Sequence, residues 1–197
     1  AKVHKVQVDL YGSLSLTGQG DHSDRATVLG LPGNKPDTIK MTSAKSALQY
    51  TIEHGTLSVA GVHEIVFSYD HDIVFHSDNL PLHENGMTIT AFDAAGEQVA
   101  FETYYSIGGG FIATAAELEN GSSEAEVEVC YPFKSADEML EKAEQNGLSL
   151  GGMILQNEHA FREQEEIDQK AEQIWKVMSL CMQRGFDTEG ILEGGLN

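Results

Sequence analysis

The chain has 197 residues, 41% of them hydrophobic, enough for one substantial core or for one domain with a helical appendage. Twelve Lys and Arg against 31 Asp and Glu leave a formal charge of -19, so neither nucleic acid nor an anionic membrane is an expected partner. No apolar run approaches the roughly 18 residues of a membrane span. The two cysteines, Cys130 and Cys181, make neither a disulfide framework nor, alone, an iron–sulfur site, which points to a reducing, cytoplasmic setting.

In chain order, residues 3–10 alternate as a strand, with Val6, Val8 and Leu10 on one face. The stretch Tyr11 to Asp24, Tyr-Gly-Ser-Leu-Ser-Leu-Thr-Gly-Gln-Gly-Asp-His-Ser-Asp, reads as a long glycine-rich polar loop. Residues 26–31 follow as a short helix stopped by Pro32-Gly33. Residues 43–54 make an amphipathic helix with Ala44, Ala47, Leu48 and Ile52 on one face. Residues 57–67, 72–76, 87–92 and 98–106 carry strand-like patterns, the last two joined by an Asp93-Ala94-Ala95-Gly96 hairpin. Residues 117–128 read as an acidic, mobile excursion.

The character then changes. Ser135 and Glu138 have the spacing of a capping box, and their helix stops at Asn146-Gly147. A single long helix is predicted over 157–184, with a narrow stripe of Ala160, Ile167, Ala171, Ile174, Met178 and Cys181 that wants a partner helix. Cys130, Cys181 and Trp175 read as packing residues. Strands and helices followed by helices alone predict an α+β fold, a mixed sheet with helices on one face, feeding a helical segment. The expected division is a first domain over 1–133 and, over 134–197, a helical linker with the start of a second, helical domain. The absent initial Met and the ending Gly-Gly-Leu-Asn suggest a piece of a longer protein.

For the stretch from Gly12 to Asp24 two readings stand. One is a capped helix start, with Asp21 or Ser23 as the cap; the other is a ligand cradle at a helix N-terminus. Two carboxylates there would oppose a phosphate and suit the ammonium of a zwitterion, so an amino acid fits better than a nucleotide. The histidines His54, His63, His71, His76 and His83 lack metal-ligand spacing and read as scattered loop residues. Gly108-Gly109-Gly110 after a strand implies positive φ, either in a bulge or where a backbone forms a site wall.

Taken together the motifs resemble the iron–sulfur L-serine dehydratases of bacteria. The residues that carry this are Tyr-Gly-Ser-Leu-Ser-Leu-Thr-Gly (11–18), Leu-Pro-Leu-His-Glu-Asn-Gly-Met (80–87) and Tyr-Tyr-Ser-Ile-Gly-Gly-Gly-Phe (104–111). Tyr-Pro-Phe-Lys-Ser-Ala (131–136), Gln-Asn-Glu (156–158) and Arg-Gly-Phe-Asp-Thr-Glu-Gly (184–190) follow in the family's order. The resemblance implies water elimination from L-serine to give pyruvate and ammonia, with a 4Fe-4S cluster acting on the leaving hydroxyl. The cluster cysteines belong to an α domain of the same protein that is missing here, so the chain alone should be inert and colourless. A homodimer is also implied. The family places a histidine where this chain has Asp21, so the candidate catalytic residues are His22 and Asp21. The implied substrate-binding residues are Ser13, Thr17, Gly18, Gly20, Asp24, Asn85, Ser106, Gly108 and Gly109, and no metal ligand is expected in this chain. The same domain is similar to the serine-binding regulatory domain of some phosphoglycerate dehydrogenases, which keeps a regulatory serine-binding or dimerisation module as the alternative.

Overall fold

Alternating Val6, Val8 and Leu10 with Lys5, Gln7 and Asp9 gives the first strand, β1 (Lys5–Leu10), one apolar and one polar face. The computed structural model describes residues 2–121 and 127–191, the side chains of Gln19 and Asp21 excepted. These form two compact units, one over 2–121 and one over 127–191.

In the first unit the expected loop after β1 is instead three consecutive short helices, α1 (Ser13–Leu16), α2 (Gly18–Asp21) and α3 (Ser23–Gly30). Glycine lowers helix propensity but does not forbid it, and Leu14 packing on the core outweighs that cost. Neither Asp21 nor Ser23 is the cap. α3 begins after His22, held at φ 64 in the left-handed region with no side-chain cap, and the Asp21 side chain lies outside the described residues. The next helix, α4 (Met41–His54), ends at Gly55 with φ 64, where the amide donates to Thr51 O. Its inward face is Ala44, Leu48 and Thr51, whereas Ala47 and Ile52 of the expected stripe are exposed.

The expected strand over 57–67 is a hairpin of β2 (Thr56–Val59) and β3 (His63–Val66). Ala60 and Gly61, both at positive φ, reverse the chain between them. β4 (Ile73–Phe75), β5 (Gly86–Phe92), β6 (Gln98–Gly108) and β7 (Phe111–Thr114) complete a mixed five-stranded sheet in the order β4-β1-β5-β6-β7. β1 and β4 are parallel; the other neighbours are antiparallel. Val6, Val8 and Leu10 lie opposite Ala91, Ile89 and Met87, so two strands contribute to one apolar face. Val28 of α3 and Phe67, both essentially inaccessible, close the core with Leu57, Ile65 and Ile73. This is the α+β fold with a mixed sheet that the sequence predicts. Part of the expected acidic excursion is a further helix, α5 (Ala115–Asn120), opened by a reciprocal box between Thr114 and Glu117. The Thr114 amide and hydroxyl both donate to Glu117 Oε2, at 2.7 and 2.8 Å, and hold its carboxyl below its usual range. Residues 122–126 of that excursion lie outside the described residues.

The second unit holds α6 (Ala136–Gln145), α7 (Leu150–Glu158) and α8 (Gln164–Asp187). Only half of the expected box opens α6: Ser135 Oγ accepts the Glu138 amide, while the Glu138 carboxylate turns to the Lys134 amide. The single long helix predicted over 157–184 is broken. Asn157 grips both the amide and the carbonyl of Tyr131, at 2.7 and 2.8 Å, which pins the end of α7. The chain then turns before α8 starts afresh. No described residue of α8 is buried: Trp175 is 63% exposed, and Cys130 and Cys181 are exposed rather than packed. Part of the stripe, Ile167, Ala171 and Ile174, faces Ile154 and Leu155 of α7 across an open groove. Among the described residues no helix is long and apolar enough to cross a membrane.

Candidate functional site

Parallel strands present adjacent carboxyl ends, and the loops leaving them make a crevice suited to a ligand. Here β1 and β4 do so. Tyr11-Gly12 leaves one and His76–Asn85 leaves the other, and the two segments are laced together. The amide of Tyr11 donates to Gly86 O at 2.9 Å, that of Gly12 to Asp78 O at 2.9 Å and that of Ser13 to Glu84 O at 3.2 Å. The approach is so close that a Cβ on Gly12 would lie 2.0 Å from Glu84 O and 2.4 Å from Asn79 Oδ1. A third segment joins through reciprocal contacts: Ser106 N donates to Asn85 O at 2.9 Å, and Asn85 Nδ2 donates to Ser106 O at 3.3 Å. His83 Nδ1 accepts the Asn85 amide at 3.1 Å, and its ring meets buried Tyr105 edge-on.

Sequence reasoning missed the most polar part of this cluster. Asp9 is buried on the polar face of β1, and His76 Nε2 donates to its Oδ1 at 2.7 Å. Gln7 Nε2 donates to both Asp9 oxygens, at 3.2 and 3.0 Å. The His76 ring stacks on Tyr11, with centroids 4.4 Å apart and planes 7° from parallel. Burial, with the nearby charge of Asp9 and further off Asp78, raises the Tyr11 phenol, partly offset by a hydrogen bond with Thr88. Asp9 and His76 are 67 residues apart, so only the parallel pairing of β1 and β4 reveals them.

The expected catalytic and binding residues do not all converge. Strand alternation puts Asp9, Tyr11 and His76 on the sheet face opposite Val8 and Leu10, whereas α3 packs on the Leu10 side. His22 lines a different cavity, about 520 Å³, between α3 and α4, with Arg25, Asn34, Lys35 and Lys45. Asp24 is engaged: Tyr69 Oη donates to its Oδ2 at 2.5 Å. Thr17 Oγ1 donates to Ser13 O at 3.0 Å within the helical turn. A Cβ added at Gly18 would lie 3.3 Å from Phe75 and Ser23, tighter than ordinary contact, and one at Gly20 would meet open space. Gly108, Gly109 and Gly110 all have positive φ and make the β6–β7 turn beside a bulge, with open space at Gly108 and Gly110. Thus Ser13, Asn85 and Ser106 share the strand-end segments with His76 through backbone contacts, although register sets Ser106, opposite Ile112, on the Leu10 side of the sheet; His22 and Asp24 belong to the helical side.

The Tyr69 phenol is pushed up to about 12, by burial first and then by its bond to Asp24 and that carboxylate's charge, with Arg25 opposing. The folded state therefore favours the neutral phenol. Its contribution to stability is fully present below the unfolded value of 10.0 and is lost as pH rises through about 12. The urea midpoint is expected to fall between pH 9.5 and 12, and to fall less in Tyr69→Phe. An equal fall in both proteins would refute the coupling.

The profile of the serine dehydratase beta chain family matches residues 1–117. The chain belongs to that family. It is 47% identical over 196 residues to L-serine dehydratase 2 of Escherichia coli K12, covering 98% of this chain and 42% of that protein. It is 43% identical to L-serine dehydratase of Streptomyces coelicolor, covering 98% of this chain and 43% of that protein. With L-serine dehydratase of Helicobacter pylori J99 it shares 37% identity, over 99% of this chain and 43% of that protein. The chain thus spans less than half the length of these relatives.

A 4Fe-4S cluster calls for about four thiolate ligands. The donors present here do not fit one. The sequence has two cysteines, and among the described residues no group of three or more His, Cys, Asp or Glu could hold a metal ion.

Proposed function

We propose that this chain is the β domain and adjoining helical segment of an L-serine dehydratase (L-serine ammonia-lyase). It forms one wall of a serine cleft whose other wall, with the cluster ligands, is an α domain of the same protein. The observation that carries this reading is the convergence of three separated family segments. Residues 11–18, 80–87 and 104–111 meet through the Tyr11–Gly86, Ser13–Glu84 and Asn85–Ser106 hydrogen bonds. Ser13, Asn85 and Ser106 are the serine-binding residues on that wall. Thr17, Gly18, Gly20, Gly108 and Gly109 shape the backbone around it, and Asp24 acts through Tyr69. The full protein works in the cytoplasm as a homodimer.

The test is direct. Full-length protein purified without oxygen should release pyruvate and ammonia from L-serine, while residues 1–197 alone should be colourless and inactive. Full-length protein with no turnover of serine, or a brown cluster bound to residues 1–197, would refute the reading. A second reading, a regulatory serine-binding module, is favoured by the separation of the Asn85–Ser106 cluster from the cavity at His22. It predicts a measurable heat when L-serine is titrated into the isolated chain, and an Asn85→Ala variant that keeps basal turnover while losing that heat.

A further inference from the structure

We propose that His76, held by Asp9, is the base that removes the Cα proton of serine; this assignment rests on the dehydratase reading above. An ionised carboxylate can only accept hydrogen bonds, so the nitrogen facing Asp9 Oδ1 at 2.7 Å carries a proton. In the neutral ring that fixes the lone pair on Nδ1. Two Gln7 contacts hold Asp9, the Tyr11 stack fixes the plane of the imidazole, and the His76 amide donates to Leu10 O at 2.9 Å. Every feature of the ring except the Nδ1 edge is thereby committed. The imidazole nonetheless keeps 32% of its side-chain surface accessible, against 12% for Asp9. A buried carboxylate orienting a partly open imidazole is the arrangement of a general base and its positioning residue.

Competing assignments fare worse on geometry. His22 makes no hydrogen bond to a carboxylate among the described residues and lines the cavity between α3 and α4, away from the segments that meet at Gly12. Of the other imidazoles in the first unit, His54 bonds Tyr50 O, His63 bonds Val3 O and His83 accepts the Asn85 amide, while His4 and His71 have no carboxylate partner among the described residues.

In the proposed step the Cα–H bond breaks and its proton passes to His76 Nδ1. The electron pair forms the Cα=Cβ bond, and the Cβ–O bond breaks with loss of hydroxide. The proton returned from His76 makes that hydroxide water. Serine becomes aminoacrylate plus water, and the imidazole is restored for the next turnover. Asp9 stabilises the transient imidazolium without itself changing protonation.

The experiment uses the full-length enzyme with His76→Ala, His76→Gln and Asp9→Asn, each checked for an unchanged melting transition. Loss of a general base typically costs about 10²- to 10⁴-fold, so kcat for L-serine should fall by that order in both His76 variants with KM changed less than about threefold. Asp9→Asn should lose about tenfold or more through misorientation of the ring. Added imidazole should restore His76→Ala at least about tenfold by occupying the vacated space, a rescue that a structural role would not show. The assignment is overturned alone if the parent enzyme is active and His76→Gln stays within about threefold of it, or if folded His76→Ala is dead and imidazole restores nothing. A full-length protein without serine turnover overturns the dehydratase reading and this assignment with it.

Discussion

Gly12→Ala will cost about 3–5 kcal/mol of stability, a large share of the roughly 5–15 kcal/mol that holds a domain together. Two separate effects add. The backbone at Gly12, φ 51 and ψ -126, is a conformation that residues with a Cβ strongly avoid. The new methyl would also stand 2.0 Å from Glu84 O and 2.4 Å from Asn79 Oδ1. The second contact involves a side chain and can yield, but the first is to backbone. Adding Asn79→Ala to Gly12→Ala should therefore recover only a minor part of the loss. Urea unfolding of the chain measures both, and a loss below about 1 kcal/mol for Gly12→Ala would refute the close approach. Because that approach joins Tyr11–Ser13 to the 78–86 segment, surviving folded protein should also lose the Tyr11–His76 stack.

The same logic separates the glycines of the opening motif, which the sequence alone presents as equivalent. A Cβ added at Gly20 would meet nothing within 4 Å, and the residue lies in a helical turn, so alanine there is neutral or gains up to about 1 kcal/mol. Gly18 stands between them, with Phe75 and Ser23 at 3.3 Å from the added carbon. Only one of the three glycines is irreplaceable on packing grounds.

What was legible in the sequence was the part governed by local periodicity. Val6, Val8 and Leu10 announce β1, and Asp93-Ala94-Ala95-Gly96 announces its hairpin. There Asp93 Oδ1 accepts the Ala95 and Glu97 amides and Gly96 takes φ 81. The helical turns after Gly12 were hidden because glycine, serine and threonine are locally indifferent to helix, and tertiary contacts of Leu14 and Val28 decide the matter. The break before α8 has no proline or glycine to mark it and follows from Asn157 binding Tyr131, 26 residues away. At the candidate site, the triple glycine is a local signal and was visible, whereas the Asn85-Gly86 signal marks no turn, since Gly86 opens β5 opposite Tyr105. The Asp9–His76 pair was not visible. An acid on the polar side of an amphipathic strand looks like ordinary surface, and its meaning appears only when β4 is known to run parallel beside β1.

Phe67→Ala will cost about 3–5 kcal/mol, the usual range for removing a fully buried aromatic ring and leaving a cavity. Phe67 has no accessible surface and packs in the cluster that contains Val8, Leu57, Ile65 and Ile73. Its position explains why the effect should be regional as well as global. The β2–β3 hairpin is a two-stranded sheet of its own, sharing no ladder with the five-stranded sheet, and an isolated hairpin is marginal in water. Leu57 and Ile65, paired across it, and Phe67 just beyond its end, with an amide donating to Gly55 O at 2.9 Å, tie it to the core, with polar support from Ala60 N to Leu31 O and His63 to Val3 O. Truncating Phe67 should therefore raise hydrogen exchange at Leu57 and Ile65 more than at Val8, which keeps ladder partners on both sides. It should also expose the Ala60-Gly61 reversal to proteolysis, whereas Phe67→Leu, which refills most of the space, should cost less than half as much. Equal loss of protection at Val8 and Leu57 would show that the hairpin and the sheet unfold as one unit, and that Phe67 anchors the whole first unit rather than its β2–β3 limb.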